Sequence, residues 1–287
     1  MLSLAGAYAD LVYHVLAHVQ VLGPSSLHDE RYLAWSRASL ESPARRPAEN
    51  DARALGVRYA RAPGADLVHA LPALHASVAG FCASATKALH ELLPADVADA
   101  ELLRALLEMD RPLVEILRCA MALSARAYAR AHAGLVEPEL RFAAEVVAPL
   151  LGEATGVMPA LRHFSVELSH PLGPRGRVFG RRILVGAPVS WCDLPPPHPV
   201  LQAMHECAVA CAERELRSGG SAPLSAVAHV ASEWRALCAV EQLIQSSSWQ
   251  EWHVAWRAGL ATAALEAEAR RLGVDRDVGS LVAALRR

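Results

Sequence analysis

Residues 177–217, RVFGRRILVGAPVSWCDLPPPHPVLQAMHECAVACAERELR, decide how the chain is read. Ile183-Leu184-Val185 is a short apolar run that stops at Gly186-Ala187-Pro188, the pattern of a buried strand entering a turn. Three prolines, 195–197, lead to His198, and apolar residues then recur at helical spacing to Arg217. His205-Glu206 falls near the centre of that helix. Strand, turn and helix signals thus meet beside side chains that can bind an ion or move a proton.

Just upstream, Phe164-Ser165-Val166-Glu167-Leu168-Ser169 alternates with period two, which is strand grammar, and 170–176 is rich in turn residues. The two apolar runs are expected to pair as one long β-hairpin, about 164–186. The rest reads as helix. Residues 4–21 carry the stripe Leu4, Tyr8, Leu11, Val12, Val15, Leu16, Val19, and a short segment follows at 28–38. Further helices are expected over 67–90, after Asp96, and from Asp110-Arg111-Pro112 to about 133, where an Asp cap precedes the first turn. Another runs from Glu137 to Leu151, closed by Gly152, and the last ones cover 198–217, 223–245, 248–272 and 276–286. Residues 41–66 are dense in Pro, Gly and charge and read as a surface loop. The expected fold is mainly α: a multi-helix single domain over 1–287 with one inserted β-hairpin.

The composition excludes several partner classes. The chain of 287 residues is 53% hydrophobic and carries 28 basic against 30 acidic residues, a formal net charge of -2. With no long basic run, neither nucleic acid nor an anionic membrane is an expected partner. The apolar N-terminus lacks a basic start and is interrupted by Asp10, His14 and His18, so it is read as neither a signal peptide nor a membrane span. A cytoplasmic location is expected. Six cysteines (82, 119, 192, 207, 211, 238) form no C-x-x-C pair, and Cys207 and Cys211, one helical turn apart, are poorly spaced for a disulfide. Buried, reduced thiols are the expectation. G-x-S-x-G, P-loop and G-x-G-x-x-G motifs are absent.

Three constellations carry candidate chemistry. The first is His205-Glu206, on a helix that follows a strand and a turn. It resembles the active-site helix of zincin metallopeptidases, whose H-E-x-x-H places two ligands on one face and a water-polarising Glu beside them. The resemblance covers 177–240 at most, and Val209 stands where the second histidine belongs. It implies His205 as metal ligand and Glu206 as general base. Glu233 lies at the spacing of a third ligand, with His229 one turn before it. The implied cofactor is one divalent ion, zinc or iron. The implied activity is metal-dependent hydrolysis of a small-molecule or peptide substrate bearing a peptide or amide bond. The strand 181–185 and the loop 170–176 would line the cleft, the strand edge pairing with an extended peptide. The alternative is a non-catalytic helical partner or scaffold protein, or an inactive relative of an enzyme, whose polar residues satisfy one another.

The second is Asp10-His14-His18, a polar stripe at successive i,i+4 positions. It reads either as metal ligands, joined to His205 if the two helices pack together, or as the wet boundary of an amphipathic helix. The third is Trp249, Trp252 and Trp256, which share one helical face beside His253. Core packing accounts for such a face, and a ligand platform, protein partner or homo-oligomer contact is the other reading.

Overall fold

The computed structural model describes residues 2–4, 10, 13, 17, 30–39, 136–172, 176–179, 181–186, 195–217, 226–245, 247–259, 262–275 and 277–287. The loop expected over 41–66, the helices expected between 67 and 133, and His14 and His18 all lie outside these residues.

Mainly helical architecture is what the chain adopts, around one small sheet. Strands β1 (Leu2–Leu4), β2 (Ser165–Ser169), β3 (Gly176–Phe179) and β4 (Arg182–Gly186) lie in the order β1-β2-β4-β3. This corrects the expected hairpin. β2 and β4 pair in parallel, Ser165 with Arg182 through Ser169 with Gly186, and the tight antiparallel pair is β3 with β4. Alternation in 164–169 identifies a strand but carries no direction. Gly176-Arg177-Val178-Phe179, read as the end of a turn-rich loop, supplies the missing strand and forms the sheet edge among the described residues. The edge therefore belongs to β3, and β4 is interior. Leu4, the expected start of a helix, is the last residue of β1, which pairs in parallel with β2. Asp10, Tyr13 and Ala17, further along, are helical.

Helix α1 (Glu30–Ser39) is followed, after the undescribed stretch, by α2 (Val136–Phe142), a π-helical turn (Ala143–Val147) and α3 (Ala148–Val157). The Ala148 N–H reaches back five residues to the Ala143 carbonyl, and Pro149 follows with no N–H to give. Widening the turn lets the proline ring sit in a helix it would otherwise break. Gly152 does not end this helix, because Leu151 and Ala154 beyond the π turn are buried and hold it through to Val157.

Helices α4 (His198–Arg217) and α5 (Ala226–Ile244) follow the sheet, then α6 (Trp249–Gly259), α7 (Thr262–Arg271) and α8 (Gly279–Leu285). The helix expected over 248–272 is thus two, with Gly259 at the end of the first. Val166, Leu168, Ile183 and Val185 form the apolar face of the sheet and share one core with Val200, Met204 and Ala208 of α4 and Leu237 and Val240 of α5. Trp249 and Trp256 are buried in that core and Trp252 packs against it, so the tryptophan face is a packing face. Each fully buried aromatic of this size removes about 150–250 Å² from water. Glu167 and Ser169 alternate onto the other face of the sheet. Free thiols at Cys207, Cys211 and Cys238 are buried or half-buried, and no described helix is long and apolar enough to cross a membrane.

Candidate functional site

A cavity of about 300 Å³ opens between the β3 edge and helices α4, α5, α6 and α7. Arg177, His205, Glu206, His229, Glu233 and Trp256 are among its lining residues. Five of these were singled out from sequence: His205, Glu206, His229, Glu233 and, as part of the tryptophan face, Trp256.

The arrangement starts at Gly176. It pairs with Val185, and α4 passes directly over it. A Cβ there would stand 2.7 Å from the Leu184 carbonyl oxygen and 3.1 Å from the Cγ atoms of both Gln202 and Glu206. Only a glycine lets the edge strand and the helix approach this closely. Gln202 and Glu206 are one turn apart on α4, and the Gln202 Nε2 donates to Glu206 Oε1 at 2.8 Å. Both residues are buried, at 3% and 4% exposure.

His205 points instead at α5. Its Nε2 lies 2.9 Å from Glu233 Oε2. The other Glu233 oxygen is 3.8 Å from His229 Nε2 and 3.9 Å from the Arg177 guanidinium. His229 also lies 3.9 Å from Glu213. The His205 ring lies beside Trp256, centroids 5.5 Å apart, and His253 is also in contact with that indole, at 5.4 Å.

This geometry splits the two carboxyls of the pocket. Burial pushes Glu206 up to about 7, helped by the negative charge of Glu233, while His205, Arg177 and the Gln202 hydrogen bond pull the other way. Glu233 also feels burial. The hydrogen bond from His205 and the charges of His205, His229 and Arg177 outweigh it and hold the carboxyl down at about 2. His229 is raised, chiefly by the Glu213 carboxylate beside it. Burial, reinforced by the positive charges of Arg257 and His205, lowers His253 to about 4. One glutamate is therefore a fixed anion wrapped in cations, and its neighbour titrates near neutrality.

The metal implied by the sequence resemblance does not fit these residues as they stand. At the position one turn after His205, Val209 is 3% exposed and belongs to the apolar core. The His205 nitrogen that faces the pocket side of α5 is engaged by Glu233, the expected third ligand. Among the described residues, no three His, Cys, Asp or Glu side chains are grouped so as to hold a metal ion.

Asp10 is elsewhere. It is buried and accepts a hydrogen bond from Ser169 Oγ at 2.6 Å. Ser169 lies on the sheet face opposite Leu168, and Leu168 is on the face that α4 covers. Asp10 thus meets the sheet from the side away from His205; His170, the residue after Ser169, is in contact with Glu139, Tyr32 and Trp35.

Arg177, Gln202 and Gly176 were not expected at the site, and Trp256 was expected as a core or ligand-platform tryptophan but not beside His205. Arg177 opens the stretch that decides the fold, but an arginine in an arginine-rich chain gives no signal of its own. Gln202 could have been found, since it sits one turn before Glu206 on the same helical face. No family model matches the chain, and no curated protein or solved structure matches it.

Proposed function

We propose that the chain is a non-hydrolytic relative of zincin-type enzymes, in which the pocket beside β3 recognises an extended peptide segment without a resident metal. The observation that carries this reading is the 2.9 Å contact between His205 Nε2 and Glu233 Oε2. The two side chains that would share an ion satisfy each other, and the next helical position toward the ion is the buried Val209. Edge strand β3 beside the cavity supports the peptide class, because a sheet edge offers backbone donors and acceptors to an added strand. The Arg177 guanidinium supplies positive charge to Glu233 where an ion would otherwise do so.

A second reading, the metal-dependent hydrolase, draws on His229. Its Nε2 and that of His205 approach the two oxygens of one carboxylate, at 3.8 and 2.9 Å. A turn of the half-exposed His229 ring would bring a second imidazole toward the same point. Elemental analysis of purified protein separates the readings. The first expects far less than one zinc or iron per chain and no cleavage of an unfolded protein substrate. About one metal per chain, lost in His205→Ala, would overturn it and select the second.

A further inference from the structure

We infer that the ligand group this pocket takes is a primary ammonium, held by Glu206 and Gln202 against the Trp256 indole. The inference rests on the peptide-recognition reading and names the chemistry of what is recognised.

The first observation is a surplus of acceptors. Gln202 gives its amide N–H to Glu206, and its own Oε1, fully buried, has no hydrogen-bond partner among the described residues. Next to it stands a carboxyl whose one described hydrogen-bond partner is that neutral amide. A buried carbonyl and a buried carboxylate one turn apart call for donors. They sit on two separate groups, whereas a planar fork is matched to the two oxygens of one carboxylate; an ammonium, with three N–H donors spread in space, can give to both.

The second observation is the distribution of charge. The basic side chains of the pocket, Arg177, His205 and His229, gather on Glu233, and Glu213 lies behind His229. Glu206 faces these groups at second hand. Among the charges that bear on it, the negative charge of Glu233 is the strongest, ahead of His205 and Arg177. Glu206 itself makes no ion pair among the described residues, so an incoming cation would find its carboxyl unclaimed.

The third observation is the wall. Trp256 lines the same cavity as Gln202 and Glu206. Indole is the most favourable aromatic surface for a cation within about 6 Å of the ring. At about 300 Å³ the space admits a short side chain or the first residue of a chain.

A protonated amine reaches such a pocket either as the N-terminus of a peptide or as a lysine side chain. Four alanine-based hexapeptide amides distinguish the sources when titrated into the full-length protein by calorimetry. One has a free N-terminus, and one is acetylated. The third is acetylated with a central lysine, and the fourth is acetylated with norleucine in place of that lysine. The expected result is at least tenfold tighter binding for the free-amine peptide over its acetylated form, or for lysine over norleucine. The arm showing the gain identifies the source. In Glu206→Gln, whose circular dichroism should match the native protein, the gain disappears. Equal binding of all four peptides, or a preference that persists in Glu206→Gln, overturns the ammonium inference and leaves peptide recognition standing. Binding of none of them overturns both, whatever the metal analysis gives.

Discussion

A methyl group on Gly176 has nowhere to go. It would meet the Leu184 carbonyl oxygen at 2.7 Å, and backbone cannot swing aside as a flexible side chain can. Gly176→Ala is expected to cost about 1–3 kcal/mol, the usual range for overpacking, measured by urea denaturation. The same change lifts β3 from α4 and should loosen the pocket. Val209→His tests the other side of α4. Histidines at 205 and 209 would share a helical face one turn apart, with Glu233 already at hand, a ligand set suited to zinc. About one zinc per chain should appear in this variant; if none binds, the kinship with metal-binding helices is lost at its central point. Cys211 offers a third test at this scale. The hydrogen bond from Cys207 and the nearby Arg214 outweigh burial and bring its thiol down to about 7, whereas Cys207 is driven far up. Iodoacetamide at neutral pH should therefore label Cys211 well before Cys207, read by peptide mass mapping.

At the scale of elements, α6 shows how one helix can serve both core and pocket. Trp256 is 2% exposed yet forms a cavity wall. Trp256→Ala is expected to destabilise the protein by about 3–5 kcal/mol, and Trp256→Phe by much less, on thermal or urea unfolding. Most of the described helices were legible because their apolar stripes are long. His198–Arg217, with its proline-rich approach, falls at the expected bounds. The strands were legible only one at a time. Whether 164–169 runs with or against 181–185 depends on where the intervening chain goes, and β3 hides in a segment whose glycines and prolines announce a turn. In the site, His205 and Glu206 stood out as a His-Glu pair like that of zincin helices, Glu233 by the spacing of a third ligand, and His229 because it lies one turn before Glu233 on the same face. Arg177 could not, since its nearness to Glu233 is a property of the sheet edge and no local pattern encodes it.

For the molecule as a whole, the two pocket glutamates act on stability in opposite directions. Glu206, at about 7 when folded against an ordinary 4.5, favours folding while protonated. That contribution is fully present below pH 4.5 and is lost as pH rises through about 7. Glu233, held at about 2, contributes stability present above pH 4.5 and lost as pH falls toward 2. Glu206→Gln removes the first effect alone. Its stability relative to the native protein should rise between pH 5 and pH 8, by about 3 kcal/mol at most. Parallel denaturation curves at the two pH values would contradict the buried, charge-crowded setting of that carboxyl.

Strand β1 has a consequence in time. Leu2-Ser3-Leu4 are made more than 160 residues before their neighbour Val166-Glu167-Leu168. At about 5–20 residues per second, that tripeptide waits on the order of 10–30 s for a place in the sheet. Closing so long a loop is slow, and until it closes β2 keeps a bare side open to other chains. Nascent copies should therefore lean on chaperones until synthesis has passed β4, and crowded translation should favour tangles between neighbours.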